Sequence, residues 1–202
     1  MSRALPILLC LAACQGRADA ERIEALETYG SIGEFALTDQ SDVQVSRADL
    51  FGERGNVVIA NFIFTRCPTV CPVFTMKTQR LVERLADTDG LEFVSFSVDP
   101  THDTPAVLAA FAKERKLDTR RWRLLTGDPE TIKKTVEGGL KMALERRGVL
   151  SDGTPDIVHA THWVLLDRAG QIRGYYDSSE RARIDALIAD AAALARGTKR
   201  RP

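Results

Sequence analysis

The period of apolar and polar positions changes repeatedly along this chain, and each change marks an element. Residues 57–64 are apolar at every position except Asn61, the pattern of a strand buried on both faces. Val73, Met76, Leu81, Val82 and Leu85 then recur at helical spacing. A second strand is expected over 91–98. Thr104-Pro105 follows and opens a helix with Val107, Leu108, Phe111 and Ala112 on one side, proline suiting the first helical position. Residues 122–125 predict a third strand. A short helix over 128–137 is stopped by Gly138-Gly139.

Residues 138–158, with Gly148, Gly153 and Pro155, predict a longer loop-like excursion. Strands over 162–166 and 171–176 are joined by the turn Asp167-Arg168-Ala169-Gly170. A last helix carries Ile184, Leu187, Ile188, Ala191 and Leu194 on one face. Ahead of all this, residues 35–37 and 43–45 flank a polar loop and read as a small hairpin. Strands alternating with helices predict an α/β fold in which helices flank a central mixed β-sheet, with an N-terminal β-hairpin.

With 202 residues the chain fits one domain with a sizeable core. Its 28 basic and 28 acidic residues cancel, so no global field draws nucleic acid, and none is expected as a partner. The first 13 residues combine Arg3, a short apolar run and the sequence Leu11-Ala12-Ala13 before Cys14, which resembles a bacterial lipoprotein signal. That reading predicts cleavage before Cys14 and lipid on its sulfur, tethering the protein outside the cytoplasm, at the periplasmic face of a bacterial membrane. Gln15 leaves inner and outer membrane both open, and an ordinary signal peptide cleaved nearby is the plainer alternative. The expected organisation is a signal over 1–13, a tether over 14–32 with a helical piece around 21–26, a domain over 33–196 and a basic tail over 197–202.

Once Cys10 is removed and Cys14 lipidated, one thiol pair remains, Cys67 and Cys71 in Arg66-Cys67-Pro68-Thr69-Val70-Cys71-Pro72. A bridge closing so small a ring would restrict the unfolded chain little, so a functional redox pair is favoured over a structural staple. The pair sits between a strand and a helix. Unpaired N–H groups and the dipole at the helix start, with Arg66 beside them, should favour thiolate. Pro72 is expected at the first helical position, with Cys71 as cap.

Three histidines exist, His102, His159 and His162. A late strand antiparallel to the first would bring its beginning to the edge where the thiols lie. His159 and His162 are three apart and point to opposite faces of an extended chain, so both should not reach one ion. His159, in the loop before the strand, is the chosen third donor. Two thiolates and one imidazole suit copper, Cu(I) above all, with zinc as the competitor. His102 reads as a solvated loop residue, Asp103 and Thr104 as helix caps, and Asp99 as either a cap or a residue that supports the site or recognises a partner.

The segment Cys67-Pro68-Thr69-Val70-Cys71-Pro72 after an apolar strand, the segment Val98-Asp99-Pro100-Thr101-His102-Asp103-Thr104-Pro105, and a histidine eight residues before Asp167 together resemble the Sco/SenC family. The resemblance spans most of the chain from about Gly33. It implies a thioredoxin-like fold and copper bound by Cys67, Cys71 and His159. The implied partner is the copper-centre subunit of cytochrome c oxidase, or another periplasmic copper protein. The chain departs from the family pattern at Thr69, where an acidic residue is frequent, and at Val158, where aspartate often precedes the histidine. Thr161 stands near the position of the thioredoxin cis-proline, which opens room for a metal. Two other activities fit a reactive dithiol on this fold: thiol-disulfide exchange, with Cys67 attacking and Cys71 resolving, and thiol peroxidation.

Overall fold

The computed structural model describes residues 5–52, 55–67, 70–149, 155–159 and 161–197, without the side chains of 5–14, 70–71, 145–147, 149 and 155–159. Seven strands form one sheet in the order β2-β1-β5-β4-β3-β8-β9. They are β1 (Ala36–Asp39), β2 (Gln44–Ser46), β3 (Val57–Ile63), β4 (Leu91–Ser97), β5 (Trp122–Thr126), β8 (His162–Leu166) and β9 (Ile172–Asp177). The centre, β5-β4-β3, is parallel; β8 lies antiparallel to β3, and β1 antiparallel to β5.

The continuous apolar runs are explained by burial on two sides. Val58, Ala60 and Phe62 of β3 join a core with Val94, Phe96, Leu125 and Val164, covered by α2 (Arg47–Leu50) and by α5 (Pro129–Lys133) with the π-turn Lys134–Gly139 that prolongs it. Val57, Ile59 and Ile63 face the opposite way. They meet α3 (Val70–Arg84), α4 (Pro105–Arg115) and α6 (Arg181–Gly197) through Phe74, Leu81, Leu108, Phe111, Leu187 and Leu194. Asn61 shares this second face and stays polar at no cost, since its amide donates to Thr78 of α3 at 3.0 Å while its carbonyl accepts from Ser95.

Three differences from the sequence reading concern elements. The core face of α3 is built on Phe74, Thr78, Leu81, Val82 and Leu85, whereas Val73 and Met76 lie exposed. The excursion over 138–158 contains a two-stranded antiparallel ribbon of β6 (Leu144–Val149) and β7 (Pro155–His159). The helical piece near 21–26 is the end of α1 (Leu5–Ala25), which is clasped to α6. Arg196 binds Asp19 through two hydrogen bonds of 2.8 Å, and Arg22 reaches Asp190 at 2.6 Å. Arg173 closes the helix end by donating to the carbonyls of Ile23, Leu26 and Glu27.

The expected turn is present. Gly170 takes φ +74, the left-handed conformation a three-residue hairpin loop requires, and its N–H returns to Asp167 at 2.8 Å. Among the described residues no helix is long and apolar enough to cross a membrane.

Candidate metal and dithiol site

Strand β3 leads through Phe64 into Thr65-Arg66-Cys67, where the chain turns back with the Cys67 N–H donating to Phe64 O at 3.3 Å. Cys67, half-buried, packs against the core on the β3 side that carries Phe62. Helix α3 starts at Val70, so Cys71 is its second residue and Pro72 its third, two positions later than expected. The first four N–H groups of a helix have no intrahelical partner. Pro72, as the third helical residue, therefore displaces no hydrogen bond.

A carboxylate platform lies under this turn. Asp103 is fully buried and accepts from the Thr65 amide at 3.1 Å, the Thr65 hydroxyl at 2.5 Å and the Ser97 hydroxyl at 2.6 Å. Its role is to hold the strand end that leads to Cys67, in place of the capping role expected; Thr104 alone caps α4, accepting from the Val107 N–H at 3.4 Å. Burial pushes the Asp103 carboxyl up from its ordinary value, against the hydrogen bonds from Ser97 and Thr65 that pull it down.

Asp99 supports the site and does not cap. Its Oδ2 accepts from Arg66 Nε at 3.2 Å and Nη2 at 2.7 Å, with the carboxylate side chain 4% exposed. The positive charge expected to favour thiolate is thus already paired. The helix start remains as the local source of positive potential.

The late histidines stand in a setting different from the one expected. His159 ends strand β7, where a loop was expected, and pairs across the ribbon with Leu144. Leu144 packs against the same core cluster as Cys67 and lines, with Val98 and Pro100, a cavity of about 460 Å³ at the carboxyl end of β4. The ribbon thereby brings the backbone of His159 to the sheet edge that carries the thiols. Strand β8 begins at that edge too: Ala60 pairs with Val164, so the register continues to His162 beside Phe62.

His162 Nε2 lies 3.9 Å from Asp177 Oδ2, and its buried Nδ1 has no hydrogen-bond partner among the described residues. His102 is exposed. The side chains of Cys71, His159 and Cys14 lie outside the described residues, and among those described no group of three or more His, Cys, Asp and Glu is gathered as for a metal. The thiolate and imidazole donor set itself fits copper.

Several supports of this site had no sequence signal. Thr65 and Ser97 are ordinary strand-end residues, and only their approach to Asp103 gives them a task. A second polar network behind β3 links Trp122 Nε1 to Ser95 Oγ at 2.7 Å and Trp163 Nε1 to Thr78 Oγ1 at 3.1 Å. Asn61 inside an apolar run was the one visible hint of it.

A mixed sheet with a dithiol at the strand-to-helix turn and a late histidine brought to the same edge is the plan of a thioredoxin-like metal-handling protein. The SCO1/SenC family profile matches residues 24–196, and the chain belongs to that family. It is similar to a SCO1/SenC family lipoprotein from Bacillus anthracis, at 32% identity and TM-score 0.70, over 82% of this chain and 95% of that one. BsSco, a member of the Sco family of cytochrome c oxidase assembly proteins in which a disulfide switch was identified, shares 26% identity at TM-score 0.72, covering 86% and 98%. Bradyrhizobium japonicum ScoI with copper bound shares 27% identity at TM-score 0.63, covering 80% and 98%.

Proposed function

We propose that this protein is a copper chaperone that assists assembly of the binuclear copper centre of cytochrome c oxidase, binding copper as cargo through Cys67, Cys71 and His159. The observation that carries the reading is the placing of Cys67 ahead of α3, Cys71 in its first turn and His159 at the end of a ribbon packed on the same edge. The copper held by the Bradyrhizobium relative supports it. Copper binds the reduced pair, and a Cys67–Cys71 disulfide removes two of three donors and switches affinity off. Transfer proceeds by ligand exchange with the recipient's donors.

The proposed setting is extracytoplasmic, with lipid on Cys14 holding the protein to the periplasmic face of a membrane; the likeness to a family lipoprotein supports this. Thiol-disulfide exchange that keeps the recipient's cysteines reduced is the second reading, favoured by the disulfide switch of BsSco and the partial exposure of Cys67.

His159→Ala separates the two. Anaerobic titration of the reduced protein with Cu(I) should show copper affinity falling well over tenfold, since residues that merely orient a ligand already cost about 10–100-fold, with disulfide exchange largely retained. Undiminished copper retention by this variant would remove His159 from the donor set.

A further inference from the structure

Helix α3 is attached to the paired strands β8 and β9 at three points on two successive turns. Phe74 stacks on Trp163 with ring centroids 5.1 Å apart, and Thr78 Oγ1 accepts from Trp163 Nε1 at 3.1 Å. The third attachment is polar and falls just past the end of β9, opposite the chain entering β8: Lys77 Nζ donates to the carbonyl of Ser178 at 2.7 Å. Ser178 is buried, and its own N–H donates to Thr161 O at 3.1 Å. That bond extends the β8–β9 ladder one step past the pair His162–Asp177.

One residue, Ser178, therefore receives α3 through its carbonyl and holds Thr161 through its amide. Lys77 lies six residues after Cys71, about 9 Å along the helix, and Thr161 lies two residues after His159. A displacement of α3 against β8 would change the separation of the two segments that carry the donors, and the Lys77–Ser178–Thr161 bracket opposes it.

We propose that Lys77 is a positioning residue, which sets the spacing between the dithiol and His159 and so tunes how the imidazole completes the copper site. The proposal rests on the copper triad put forward above. Lys77 touches neither copper nor sulfur. It acts through a backbone carbonyl, so an arginine that restores the donor should restore the effect, and a methionine of similar length should not.

The test uses the reduced, mature protein titrated with Cu(II), read by the thiolate-to-copper charge-transfer band and the copper hyperfine splitting. Cu(I) affinity is taken from competition with a chelator. Lys77→Met should weaken copper about tenfold, the scale for residues that orient a ligand without binding the metal, and should shift the hyperfine splitting toward that of His159→Ala. Cysteine reactivity toward a disulfide reagent should stay within about twofold, and Lys77→Arg should recover most of the loss.

In a His159→Ala background, Lys77→Met should have no further effect. An equal loss in that background would mean that Lys77 acts on the thiols or the fold, and the proposal fails. Unchanged affinity and spectrum in Lys77→Met would refute it with the triad intact. Unchanged copper binding in His159→Ala would remove the triad and this proposal together.

Discussion

Asp103 holds three donors from two residues on its two oxygens in a position sealed from solvent. Asp103→Ala strands the Ser97 hydroxyl and both Thr65 groups. At about 1–3 kcal/mol for each buried group left unpaired, offset by relaxation, it should cost roughly 2–4 kcal/mol in urea unfolding. The Cys67 turn should loosen with it, seen as faster alkylation of Cys67. The acid shift adds a pH signature. Because burial raises this carboxyl above 3.8, the folded state holds its proton more tightly than the unfolded chain. Its contribution is full below 3.8 and is lost as pH rises through the shifted value. Asp103→Asn should flatten that part of the stability profile. None of this was legible beforehand: aspartate before Thr104-Pro105 has the local form of a cap, and its partner Thr65 is 38 residues away. Arg66 misleads for the same reason, since only the fold shows Asp99 taking its charge.

At the scale of elements, the paired faces of α3 offer a direct comparison. Leu81→Ala should cost about 2–5 kcal/mol as a core truncation, and Met76→Ala less than about 0.5 kcal/mol as a surface one, both read from thermal unfolding. Helical spacing located α3 but assigned Val73 and Met76 to its buried side. The buried stripe is interrupted by Thr78, whose hydroxyl is satisfied by Asn61, Trp163 and Phe74, so hydrophobicity alone drew the stripe too far round. The ribbon was missed for a related reason. Leu144-Glu145-Arg146-Arg147-Gly148-Val149 has no alternation to betray a strand, and its pairing is with β7 alone.

The clasp of α1 has its own acid response. Its hydrogen bonds from Arg196 hold the Asp19 carboxyl below the usual range. That contribution is present above 3.8 and fades as pH falls through the lowered value. Asp19→Asn at neutral pH should reproduce the loosening, as faster hydrogen exchange over residues 19–25 with the sheet unaffected.

For the molecule as a whole, binding and folding are linked. Copper at a hundred times its Kd should stabilise the reduced form by about 2.7 kcal/mol, raising Tm by roughly 5–10 °C for a chain of this size. The oxidised form should show almost no shift, so a pair of melting curves reports the redox gate. The α/β class, strands β3, β4, β5, β8 and β9 and the hairpin turn at Gly170 could be read from the sequence, because burial on both faces writes itself into apolar runs such as that of β3 and burial on one face into the alternation of β9. The sheet order could not, since β1 beside β5 joins segments more than eighty residues apart.

That order leaves two borders to the sheet, and each is closed in its own way. Strand β2 offers only three residues to a passing chain. On the other side the first rungs of β9 are already taken: Tyr29 N–H donates to Ile172 O, Ile172 N–H returns to Gly30 O, and Ser31 bridges Gln171. The stretch just ahead of Gly33 thus works as a selvedge, a finished margin that keeps the weave from catching on a neighbour. Trimming the chain back to that glycine would unpick it, and the shortened protein should self-associate at concentrations where the longer one sediments as a monomer.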